Sequence, residues 1–347
     1  ILMYRYIKEH RGVTLLWMGL VGALAFSTSE TSFITFFMLA TFLFGGALIE
    51  RIAQRPTRIM REAVGSFGRN WKALISALVM FGFVASVFYS TAFSNWEGFK
   101  TAIPNPFDPN SGLGYWLAQH DVHRGGQPWY YYFLSLSLYE FIPLVLGISG
   151  VIWLMRGKAT LWGSLLTWWL VVFTVIYSWA GEKFPWLVTY PLLPLILVGA
   201  YALKDVRVGL RVRAIEALSV VIVAIVFVFS VFISFRLSFK NPANPDEFAV
   251  YVQTTADVVR VADAIASDAR LRGTTAVDAH VDGELTWPFA WYLRDVPIRS
   301  YDTQLTAPPS ATYVLVSAQQ EASWQTHLGG YRKIGEGYRL RAWWVPP

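Results

Sequence analysis

Three consecutive stretches decide the class of this chain: ATLWGSLLTWWLVVFTVIYSW (159–179), AGEKFPW (180–186) and LVTYPLLPLILVGAYAL (187–203). Each outer stretch is a nearly unbroken apolar run of about the length that crosses a bilayer as a helix, roughly 20 residues. The seven residues between them hold one carboxylate, one amine and a proline. Two membrane helices joined by a tight polar turn is the reading that follows.

The same pattern extends in both directions. Further apolar runs lie at 13–28, 32–49, 73–93, 131–154 and 214–235, so seven spans are expected. The chain is 54% hydrophobic and only 15% charged, against about 25% charged in soluble domains. The deficit is confined to residues 1–236. Residues 237–347, opening on Asn-Pro-Ala-Asn-Pro (241–245), have ordinary soluble composition. The expected fold class is an α-helical polytopic membrane protein of about seven spans with a small C-terminal α/β domain outside the membrane. Residues 1–236 form the first domain and 237–347 the second.

The net charge of +6 does not point to nucleic acid, because the cations sit in the short connections between apolar runs. Fifteen Lys and Arg lie in the loops of one side and three, Lys100, Arg124 and Lys183, in those of the other. Lys and Arg collect on the cytoplasmic side of short loops. Loop 50–72 is therefore expected inside; 94–130, 180–186 and the C-terminal domain are expected outside. The basic 50–72 loop reads as solvated, with an amphipathic segment on anionic lipid as the other reading. There is no cysteine, which excludes disulfides and thiolate chemistry. The chain opens at Ile1 with neither methionine nor a basic-then-apolar leader, and reads as the back part of a longer protein.

Four places hold candidate chemistry. His-Asp-Val-His-Arg-Gly-Gly-Gln-Pro-Trp (120–129) sets His123, Arg124, Gln127 and Trp129 beside an apolar run. The aromatics suit a membrane-interface belt, but a belt has no use for a guanidinium, an imidazole and a carboxamide together, and an arginine fork suits a phosphate. His120 and His123 with Glu97 or Asp121 are an alternative metal set; no metal or other cofactor is assigned. In the 180–186 turn, Glu182 and Lys183 form a local ion pair, or Lys183 snorkels to the interface; the other reading is a substrate site of Glu182, Lys183 and Trp186 in which Lys183 takes a lipid phosphate and Trp186 and Tyr190 form an aromatic wall. Glu30 and Glu140 lie at membrane depth, where carboxylates are costly and often functional. In the C-terminal part, a helix is expected over 256–269, strands over 275–281 and 312–318, and a hairpin over 331–344. Asp278, His280, Asp282 and Glu284 alternate and would share one face of a solvated strand end, with calcium or sugar binding as the other reading.

Several of these stretches carry a resemblance: ALAFSTSETSFI (23–34), VHRGGQPWYYY (122–132), YEFIPL (139–144), GEKFPWL (181–187) and WPFAWYLRD (287–295). Together they resemble the archaeal and bacterial flippase-activity-associated family, within the protein-mannosyltransferase-like GT-C membrane proteins. That family tends to carry a lysine where Ser29 stands. The resemblance implies a multi-pass plasma-membrane glycosyltransferase. It would move a sugar from a polyprenyl-phosphate carrier to an acceptor at the outer face, using an acidic residue upstream of Ile1. Lys183 and Arg124 would then stabilise the leaving phosphate, with Gln127, Trp129 and Glu97 orienting the sugar. The implied partners are the lipid-linked sugar, membrane lipid and an acceptor, with no nucleic acid. A non-enzymatic factor handling lipid-linked sugars would use the same residues. A solute transporter fits less well, because the polar clusters concentrate on one face rather than at the midplane.

Overall fold

The computed structural model describes residues 1–29, 31–54, 58–123, 126–158, 160–203, 213–273 and 277–344. Glu30, Arg124 and Gly125 of the sequence reading lie outside the described residues. The chain divides into two compact units, Ile1–Ile233 with Pro346–Pro347, and Ser234–Val345.

The first unit is helical. Among the described residues, five helices are long and apolar enough to cross a membrane: Ser32–Ile52, Trp71–Tyr89, Leu161–Trp179, Pro185–Leu203 and Val221–Lys240. The helix at the expected first span, Gly12–Thr28, is apolar but has 17 residues. The expected fourth span is not one rod. It is Tyr131–Tyr139 followed by Phe141–Gly157 at an angle of 111°, and counting this pair as one span gives six. Pro143 explains the break: it has no N–H to give Tyr139, and its ring collides with that carbonyl. Glu140 thus sits, half-buried, at a corner rather than inside a continuous helix.

Small residues let the helices approach closely, as they do between membrane helices. Gly12–Thr28 runs alongside Trp71–Tyr89, and a Cβ at Gly19 would lie 2.5 Å from the Ala77 carbonyl oxygen. Phe141–Trp153 runs alongside Thr189–Leu203, where a Cβ at Gly147 would lie 2.8 Å from the Leu195 oxygen. Leu154, Leu166 and Val198 form the buried centre of this second group.

The second unit holds a three-stranded parallel sheet in the order β3-β2-β4, with β2 Ala279–Asp282, β3 Ile298–Asp302 and β4 Tyr313–Leu315. The helix expected over 256–269 runs Ala256–Arg272 and packs Val258, Ala262, Ile265 and Ala269 onto Val277, Ala279 and Val281. No hairpin forms over 331–344 among the described residues. Instead β5, Arg341–Ala342, pairs antiparallel with β1, Gln253–Thr254. Of the alternating acids Glu284 is exposed, whereas Asp278 and Asp282 are buried and bonded. Asp278 accepts from the Thr312 N–H at 2.7 Å, and Asp282, fully buried, accepts from the Ser317 N–H and hydroxyl at 3.0 and 2.5 Å. They prolong the β2–β4 ladder with side-chain acceptors.

Candidate functional site

The 180–186 turn is built by its own sequence. Leu161–Trp179 ends where Ala180 turns extended, and Pro185 opens a short 3-10 turn, Pro185–Val188, that leads into Thr189–Leu203. Proline suits a first helical position because its missing N–H would have no partner there. Gly181, Glu182, Lys183 and Phe184 are all buried. A turn expected at the membrane boundary is therefore covered, not splayed into solvent.

The cover comes from the end of the 94–130 loop. The His120 ring stacks on Trp179 at 4.0 Å, with 12° between planes. The His120 carbonyl sits so close to Gly181 that a Cβ there would come within 1.7 Å of its oxygen. Only glycine permits that contact. In the sequence alone His120 reads only as a candidate metal ligand. Its contact with Trp179 joins positions 59 apart, and the glycine after Ala180 was the one signal of a close approach.

Lys183 is 4% exposed. Its Nζ donates to the Ala180 carbonyl at 2.5 Å, and among the described residues it belongs to no ion pair. The local Glu182–Lys183 pair is thus not what holds it. Burial pulls its pKa below the usual 10.5, because desolvation disfavours the charged form. Buried amines are ordinarily paired, since an isolated charge out of water is costly. Lys183 keeps donors to spare.

Aromatic side chains wall the turn. Trp186 stacks on Phe184 at 4.7 Å, and the Phe184 carbonyl accepts from the Tyr132 hydroxyl at 3.4 Å. Tyr177 stacks on Tyr190 at 4.6 Å, and the Tyr190 and Thr31 hydroxyls lie 3.0 Å apart. Thr31 follows Glu30, so the first polar turn of the chain meets the same neighbourhood. Below it, an apolar groove of about 770 Å³ runs between Ser32–Ile52 and Leu161–Trp179, lined by Phe37, Thr41, Phe44, Leu48 and Trp168 among others.

Gln127 is buried, and Trp129 is 67% exposed against Tyr130 and Phe133. His123 is exposed with φ 45°, and its ring lies 5.9 Å from that of His120. Glu97 is exposed on Trp96–Ala102, its carboxylate 2.6 Å from Lys100 Nζ. Among the described residues no three His, Asp or Glu side chains are grouped to hold a metal ion. The chain matches no known family model, no characterised protein and no solved structure.

Proposed function

We propose that this chain belongs to a membrane glycosyltransferase of the GT-C type. It would transfer a sugar from a polyprenyl-phosphate carrier to an acceptor outside the cytoplasm, with seven spans and the second unit outside the plasma membrane. The observation that carries this reading is the buried, unpaired Lys183 in a turn closed over by His120. A buried amine with free donors suits an anion, whose charge would favour the protonated form, and a turn between two membrane-length helices sits at lipid head-group level. A lipid phosphate meets both demands.

Phosphate at Lys183 leaves the carrier's apolar chain to run along Leu161–Trp179. Val175 and Ile176 line the groove and precede Trp179 by one turn. In the reaction, the acceptor hydroxyl attacks the anomeric carbon as the bond to the phosphate oxygen breaks. The acceptor's proton passes to a carboxylate, which the family resemblance assigns outside residues 1–347. Negative charge grows on the leaving phosphate, and Lys183 is positioned to stabilise it, with Arg124 as the sequence-assigned second cation. Gln127 and Trp129 are left to face the sugar.

Removing one such donor costs on the order of 3 kcal/mol of barrier, or about a hundredfold in rate. The test is turnover of a radiolabelled polyprenyl-phosphate sugar by the purified full-length protein. Lys183→Ala should lose about a hundredfold and Lys183→Arg should keep part of the rate, as charge survives while geometry changes. Turnover by Lys183→Ala at the parent rate would overturn the reading. Tight binding of the donor without turnover by the parent would favour a non-enzymatic handler of the same lipid.

A further inference from the structure

The other end of the first unit carries a feature that sugar transfer does not use. Two strongly amphipathic helices, Leu2–Glu9 and Ile59–Arg69, pack against each other there. The buried Tyr6 and Ser66 hydroxyls are 2.7 Å apart, and Tyr6 stacks on Phe67 at 5.2 Å. Met3, Tyr6 and Ile7 are buried on one helix, Met60, Ala63 and Ser66 on the other. The Glu50 carboxylate accepts from the Met60 and Arg61 N–H groups at 3.2 and 3.0 Å, fixing the start of the second helix. Asn70 Nδ2 donates to the His10 carbonyl at 2.7 Å, and Tyr4 meets Trp162 edge-on at 5.1 Å. These bonds make a folded platform of what the sequence presents as a connecting loop. It lies where Gly12–Thr28 and Trp71–Tyr89 begin and Ser32–Ile52 ends.

The outward side of this platform is basic. Lys8, Arg51, Arg58, Arg61, Arg69 and Lys72 are all exposed. Few acids balance them. Glu9 is engaged by Arg5 at 3.0 Å and Arg11 at 3.5 Å, and Glu50 is spent on backbone N–H groups. Glu62 is the exposed carboxylate that remains. Among the described residues, Arg51, Arg58, Arg61 and Arg69 join no ion pair.

We propose that this two-helix platform is a binding surface for the head groups of anionic phospholipids. Apolar helices of membrane length place it at head-group level, and its uncompensated cations match lipid phosphates in sign and position. Basic residues at a membrane surface each strengthen binding to anionic lipid by a near-constant factor, about fivefold. Amphipathic helices that bury their apolar side against the protein hold those cations at one level, where several act together. The inference does not depend on the transfer reaction, because it uses different residues and needs no turnover.

The experiment titrates the purified full chain, in uncharged detergent, with fluorescent phosphatidylglycerol and with phosphatidylcholine of the same acyl chains. Phosphatidylglycerol should bind more tightly, and high salt should erase most of the difference, since exposed charges are screened. Arg58→Gln, Arg61→Gln and Arg69→Gln should each lose about fivefold of the phosphatidylglycerol affinity and the triple variant about a hundredfold. Phosphatidylcholine binding should stay unchanged. The single variants keep the test decisive if the triple variant fails to fold. Lys100→Gln, whose amine is already paired with Glu97, should bind like the parent. Equal binding of the two lipids by the parent would overturn the proposal, as would single variants that bind phosphatidylglycerol like the parent. Displacement of the lipid by millimolar inorganic phosphate would also overturn it, by showing a site for a soluble anion.

Discussion

Leu161–Trp179 has a different electrostatic problem at each end. At its start, Trp162 meets the platform that carries Lys8, Arg58, Arg61 and Arg69, all exposed. At its finish, about 28 Å along the axis at 1.5 Å per residue, comes Lys183, 4% exposed. The first end has many cations, each well solvated and each contributing little alone. The second has one described buried cation with no carboxylate on it. A solvated cation contributes to a field that salt screens; a buried one acts through fixed hydrogen bonds at low dielectric, where it is worth far more. Exposure, not the number of cations, separates a surface from a site.

That contrast can be broken by substitution. The largest expected effect is on turnover. Lys183→Ala should lower transfer about a hundredfold, whereas Arg61→Gln should leave it within about twofold, the scale of an exposed charge. Equal losses would erase the distinction between the ends. Next is Gly181→Ala. Its Cβ would overlap the His120 carbonyl, so the loop must lift from the turn, at about 2 kcal/mol of stability for a forced backbone shift. Thermal unfolding in detergent measures this, and a melting temperature equal to the parent's would show that the loop is not docked as described.

The two ends should also differ in their response to pH. Burial lowers the Lys183 pKa from its usual 10.5, and only the protonated amine can hold a phosphate. Transfer should therefore fall on the alkaline side at a pH below 10.5, and Lys183→Arg should move that limb upward, because arginine stays charged. For stability the sign is the reverse. With the folded pKa depressed, the unfolded chain binds more protons between the lowered value and 10.5, so stability rises with pH across that window. An alkaline limb unmoved in Lys183→Arg would assign it to another group. The smallest effect is expected from Glu97→Gln. Its pair with Lys100 is exposed on both sides and is worth about 1 kcal/mol or less. A tenfold loss of transfer in that variant would instead place Glu97 against the sugar.

The helical class was legible because length and hydropathy alone test it: the runs at 159–179 and 187–203 became Leu161–Trp179 and Pro185–Leu203. The corner at Glu140 was written in Pro143 but escaped a hydropathy reading, which does not register a missing N–H. The 180–186 turn was legible as a rare cation among aromatics. The burial of Lys183 was not, since it depends on His120 and Trp179 meeting across the sequence. In the second unit, the helix over 256–269 showed in its periodicity. The Asp278 and Asp282 side chains alternate as expected, yet their burial depends on Thr312 and Ser317, 34 and 35 positions away. The hairpin over 331–344 failed because a two-residue strand, Arg341–Ala342, carries too short a pattern to name its partner, Gln253–Thr254. The 50–72 loop looked like a solvated connection. Its Met60, Ala63 and Ser66 spacing held the helix, but the Tyr6 contact that makes it a platform lies 60 positions away.

We propose that Lys183, and not the basic platform, holds the phosphate of a polyprenyl carrier. Binding of a fluorescent polyprenyl monophosphate to the purified protein at high salt tests it most directly. Salt suppresses binding at exposed cations while leaving a buried site largely intact. The parent should retain affinity, Lys183→Ala should bind at least tenfold more weakly, the scale of a lost hydrogen bond to a charged group, and the Arg58, Arg61 and Arg69 triple variant should match the parent. Affinity unchanged in Lys183→Ala, or lost in the triple variant instead, would place the phosphate on the platform or elsewhere and not on Lys183.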